Sequence, residues 1–95
     1  MSTADNFRAI VVERCSRGGG NFFWPVRIYL LLCQVDADGE PVVPKRATSA
    51  PDWTYVRVNR LSSRGSALHK RANALAAKVN AGEMSFSAAK DAYLH

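Results

Sequence analysis

The hydrophobic period of this chain changes once, and that change limits what the chain can become. Up to Asn59 the apolar residues fall in short runs that alternate from one position to the next, and from Leu61 they recur every third or fourth. A period of two divides side chains between the two faces of a strand, and a period near 3.6 gathers them on one side of a helix. Phe7–Cys15 reads as a first strand, with Phe7, Ala9, Val11 and Cys15 on one face and Arg8, Ile10, Val12 and Arg14 on the other. Phe22–Val35 reads as a second, apolar on both sides in its C-terminal half, and Pro25 argues that its start is an edge or a bulge. Trp53–Asn59 is the third, with Trp53, Tyr55 and Arg57 set against Thr54, Val56 and Val58.

The connections carry turn chemistry. Ser16–Asn21 holds three glycines and reads as a hairpin loop. Asp36–Pro41 is a turn marked by Asp38-Gly39, and Val42–Asp52, with two prolines, reads as a short strand stub and then an extended loop. Leu61, Gly65, Leu68, Ala72, Leu75, Ala76 and Val79 then define one face of a helix of about 18 residues. Ser62 or Ser63 caps its start, Gly82 ends it, and Ser85 caps a second, shorter helix. The expected architecture is one α+β domain over residues 1–95. A three-stranded antiparallel N-terminal sheet is packed by one long and one short C-terminal helix.

Ninety-five residues, 47% of them apolar, suffice for one small core and leave no room for a two-domain enzyme. No run of about 18 apolar residues is present to span a membrane. Met1–Asn6 lacks the basic and apolar regions of a secretory signal, so the expected compartment is the cytoplasm, that of the host cell if a phage encodes the chain. Cys15 and Cys33 read as small hydrophobes in a reducing compartment rather than as a disulfide or metal framework.

Charge is the functional signal. Thirteen Lys and Arg against eight Asp and Glu give a net charge of +5. No acid occurs between Asp52 and Glu83, so 30 consecutive residues carry positive charge only. Arg64, Arg71 and Lys78 stand seven apart and form one helical stripe that Arg60 extends backwards. The stripe is expected about 80° round from the apolar face, where the helix meets the edge of the sheet. Lys45 and Arg46 in the proline-rich loop and Arg17 in the glycine loop add cations. Such a set suits phosphate contacts, and its ordinary alternative is a solvated helix face. Tyr29 and Tyr55 beside Arg27 and Arg57 are the aromatic candidates for an exposed base-stacking exception, while most aromatics are expected in the core.

Catalytic patterns fail on spacing. Asp36–Glu40 has its glycine fourth where a calcium loop needs it sixth. Gly18–Gly20 lacks the Gly-Lys-Ser/Thr of a phosphate cradle. His69 has no carboxylate within helical reach to orient it as a base, so it reads as a surface or capping residue. A helix-turn-helix around Gly82–Met84 would place only Lys90, Tyr93 and His95 on its reading helix. No enzyme, cofactor, metal or small-molecule substrate is expected.

In format the whole chain resembles the small anti-CRISPR proteins that phages direct at type I surveillance complexes: about 95 residues, one α+β domain, no cofactor signature and uneven charge. Many of that group are acidic imitators of DNA, and this chain departs from them in being basic. The resemblance implies a non-enzymatic inhibitor that binds a multi-subunit protein–RNA complex and obstructs target recognition. Its cations would meet guide RNA or DNA phosphates, or acidic protein surface. The rival expectations are a small basic DNA- or RNA-binding regulator and a protein-interaction module with no nucleic-acid contact.

Overall fold

A computed structural model describes residues 6–15, 25–59 and 63–95. Strands β1 (Phe7–Cys15), β2 (Pro25–Gln34) and β3 (Asp52–Asn59) are followed by helices α1 (Ser63–Asn80) and α2 (Phe86–Leu94). The sheet is antiparallel with the order β1-β2-β3, and both helices lie on one of its faces. The expected α+β architecture is therefore the observed one. The glycine loop at 16–21 and the proposed cap Ser62 fall outside the described residues.

Two cores explain why β2 is apolar on both sides. Ala9, Val26, Ile28, Leu30 and Val58 pack under Leu68, Ala72, Leu75 and Ala76 of α1 and Phe86, Ala89 and Tyr93 of α2. Tyr29, Leu31 and Cys33 face the other way and are covered by Ala47 and Ala50, with Ile10, Val12 and Trp53 beside them. Segment 42–51 supplies that cover. It holds a 3-10 turn at Ala47–Ser49 and no strand, so the expected stub reduces to an isolated bridge between Val35 and Pro41. Pro25 opens the central strand, not an edge strand. Among the described residues the last β1–β2 pair is Cys15 with Val26, and the imino nitrogen of Pro25 lies one residue beyond it.

The Asp36–Glu40 turn closes through Gly39 N–H to the Asp36 carbonyl at 3.0 Å, with Gly39 at φ +81°. The Asp36 carboxylate also accepts from the N–H groups of Asp38 and Glu40. Helix α1 ends in a Schellman motif: Glu83 N–H donates to the Lys78 carbonyl at 2.9 Å and Gly82 N–H to that of Val79 at 3.1 Å. Gly82 takes φ +77°, a value a residue with a Cβ adopts only at a cost. Ser85 caps α2 by accepting from Ala88 N–H at 3.1 Å, as its position predicts.

Candidate functional site

The strand register sets three arginines in one row on the face away from the helices. Arg14 of β1 pairs with Arg27 of β2, and Arg27 pairs with Arg57 of β3. Strand neighbours lie about 4.8 Å apart, so the row is about 10 Å long. Arg8 stands on the same face, opposite Cys33. No strand position of this face carries an acid: the acids of the strands, Glu13 and Asp52, face the helix side, where they meet His69 and Lys90. Like charges directly opposite in a sheet repel, each pair costing about 0.2–1 kcal/mol. Arg14 and Arg57 are exposed, and Arg27 is half-buried. Among the described residues the Nε of Arg27 is buried and has no hydrogen-bond partner.

An aromatic row adjoins the arginines. Tyr29 and Tyr55 are paired across β2 and β3, with ring centroids 5.0 Å apart, and Trp53 stacks on Tyr55 at 6.1 Å and 15°. Tyr29 is 5% exposed and belongs to the core; Tyr55 is 36% exposed and does not. The Arg27 guanidinium lies 5.3 Å from the centre of the Tyr55 ring. A part-exposed ring beside cations that have no ion pair among the described residues can take a planar group and an anion together.

The helix stripe sits on the other side of the sheet. Arg64 and Arg71 line a groove of about 300 Å³ between α1, Val56 of β3 and Tyr93 and Leu94 of α2. These two members of the stripe therefore lie where α1 meets edge strand β3, and α2 closes the same groove. Arg71 is committed to the fold: its Nη2 donates to the Ala92 carbonyl. Lys78 is exposed in the last turn of α1. Lys45 and Arg46 sit on segment 42–51, which covers the opposite face of the sheet. The structure thus splits the expected cations between two sides and puts Lys45 and Arg46 on the side of the arginine row. Arg17 and Arg60 lie outside the described residues.

Tertiary structure supplies partners that a single helix does not. The carboxylate missing along α1 comes from β1: His69 Nε2 is 3.0 Å from Glu13 Oε2, in an exposed pair. Lys90 reaches Asp52 at 2.6 Å and ties α2 to β3. Asn80 pairs its amide with the backbone of Ala9, accepting at 2.8 Å and donating at 2.9 Å. Tyr93 donates its hydroxyl to the Ile28 carbonyl at 2.8 Å. Burial pushes the Tyr93 phenol up to about 12, against smaller downward pulls from the Val56 backbone and Arg71. Cys15 belongs to the helix-side core and Cys33 to the other, so the sheet stands between the two thiols. Burial raises the pKa of Cys33.

Spacing along the chain does not reveal the arginine row, although Arg27 and Arg57 stand out beside Tyr29 and Tyr55. Its members are 13 and 30 residues apart in sequence, and only the register aligns them. The sequence signal was the strand parity that puts Arg14 with Ile10 and Val12, and Arg57 with Trp53 and Tyr55. Among the described residues no group of three His, Cys, Asp or Glu could hold a metal ion, and no helix is long and apolar enough to cross a membrane. No protein family, curated protein or solved structure matches this chain.

Proposed function

We propose that this protein is a non-enzymatic inhibitor that docks on a nucleic-acid-handling ribonucleoprotein in the cytoplasm. A type I CRISPR–Cas surveillance complex is the first target to test. The observation that carries this reading is the row Arg14, Arg27 and Arg57 on a sheet face where no strand position is an acid. Such a row is unfavourable in the free protein and is relieved by an anion. Arginine suits phosphate because its planar fork makes paired hydrogen bonds. Lys45 and Arg46, both exposed, precede Ala47, which packs on this face.

The test is gel filtration of the tagged protein with a purified type I complex, with and without nuclease. The expected result is a stoichiometric, nuclease-resistant assembly that Arg14→Glu with Arg57→Glu disrupts while the protein stays folded. An intact assembly in that variant overturns the assignment of the site. A second reading, a free nucleic-acid-binding regulator, is favoured by the open Tyr55 ring beside Trp53. It replaces the first if the protein ignores the complex and shifts naked nucleic acid with a steep salt dependence.

A further inference from the structure

We infer that the helix-free sheet face binds single-stranded RNA, stacking an unpaired base on Tyr55 and holding its phosphates on Arg14, Arg27 and Arg57. The inference rests on the reading above, which makes the ligand part of a ribonucleoprotein, and it adds the form of nucleic acid. The argument runs through the neighbourhood of one ring. Tyr55 stands second in its row, next to the arginine row, on an edge strand. One flank of the ring is backed by Trp53, nearly parallel to it, and by Tyr29, tilted at 44°. Rings held this way lose little freedom when a base arrives.

A duplex cannot use this platform. Its bases are already stacked on each other and present only edges and backbone. A single strand offers free base faces, and stacking on an aromatic side chain is worth roughly tenfold or more in affinity per base. The cations fit the same geometry. The Arg27 guanidinium lies over the Tyr55 ring, 5.3 Å from its centre, with its buried Nε unpartnered among the described residues, so a base that stacks on the ring displaces it toward the phosphate. Arg14 and Arg57 flank it and are open to solvent. A phosphate on this row lies beside the base on the ring, as sugar–phosphate connectivity requires. The strand positions of this face carry no acid to repel the backbone.

The chain has two tryptophans, so a Trp24→Phe background leaves Trp53 as the sole reporter beside the platform. Its fluorescence is titrated with a short oligouridylate, an RNA duplex of equal length, an oligothymidylate and inorganic polyphosphate. The expected result is saturable quenching by oligouridylate, about tenfold tighter than by the duplex. Tyr55→Leu should lose about tenfold for oligouridylate and nothing for polyphosphate, and Tyr55→Phe should keep the affinity because it keeps the ring. Equal affinity for single strand and duplex, or no effect of Tyr55→Leu, overturns the stacking inference while leaving the phosphate-binding reading intact. Tighter binding of oligothymidylate than of oligouridylate overturns the choice of RNA. Failure of every polyanion to bind, or indifference to Arg14→Glu with Arg57→Glu, removes the reading itself.

Discussion

Tyr93 shows how one hydroxyl couples this fold to alkaline pH. It is 1% exposed and donates to the Ile28 carbonyl, so the folded state favours the neutral phenol. The ordinary value is 10.0 and the folded value about 12. Below pH 10 both states hold the proton and the contribution is complete. Between about 10 and 12 the unfolded chain loses the proton while the folded one keeps it, so stability falls as pH rises. The loss is on the order of 3 kcal/mol. Chemical denaturation of Tyr93→Phe should show a cost of about 1 kcal/mol at neutral pH. The variant should lack that portion of the alkaline decline. Arg57 offers the opposite balance. Arg57→Gln relieves the repulsion across the row and should raise the stability of the free protein by about 0.2–1 kcal/mol. The same change should weaken polyanion binding, and a variant that gains neither stability nor loses binding would count against the row as a site.

At the scale of elements, the helix ends and the strand parity were legible in the chain, and the register was not. Gly82 and Ser85 act through local backbone chemistry, which is why their roles were readable. Gly82→Ala forces a Cβ into φ +77° and should cost about 1 kcal/mol. Gly65 is the contrast: it is helical, and a Cβ there would meet Val58 at an ordinary 3.6 Å. Gly65→Ala should therefore stabilise by about 0.5–1 kcal/mol, read as a raised denaturation midpoint. Alternation alone assigned Arg14, Arg27 and Arg57 to strands and to parity classes. It could not align them, because pairing depends on connections whose lengths do not fix register. The partner of His69 was hidden for a related reason. Glu13 lies 56 residues away and meets it only when α1 settles on β1.

Across the described residues, positive charge is divided between a helix side that the fold ties down by ion pair and hydrogen bond and a sheet side that it uses only through Arg27 over Tyr55. Arg71 and Lys90 hold α2 in place, whereas among the described residues the arginine row forms no ion pair and its one fold contact is Arg27 over the Tyr55 ring. Helical spacing drew attention to the stripe because a seven-residue repeat is visible in one dimension; the sheet site exists only in three. Two outcomes separate the sides. Lys78→Glu should leave polyanion affinity within about threefold of the parent, as expected for a charge at the rim. The slope of log affinity against log salt for a single strand should be about −2 with the row intact, and shallower by about 0.7 for each arginine removed.

The pairing of Asn80 with Ala9 bears on the order in which the chain is made. These residues are 71 apart, so the backbone of β1 that Asn80 satisfies is made well before the side chain that fastens it. At about 5–20 residues per second, synthesis takes roughly 4–14 s to bring the amide to its strand. For that interval a nascent hairpin of β1 and β2 is apolar on both faces and has an open edge. The ribosome-bound chain is thus the form of this protein most exposed to chaperones and to pairing with its own copies.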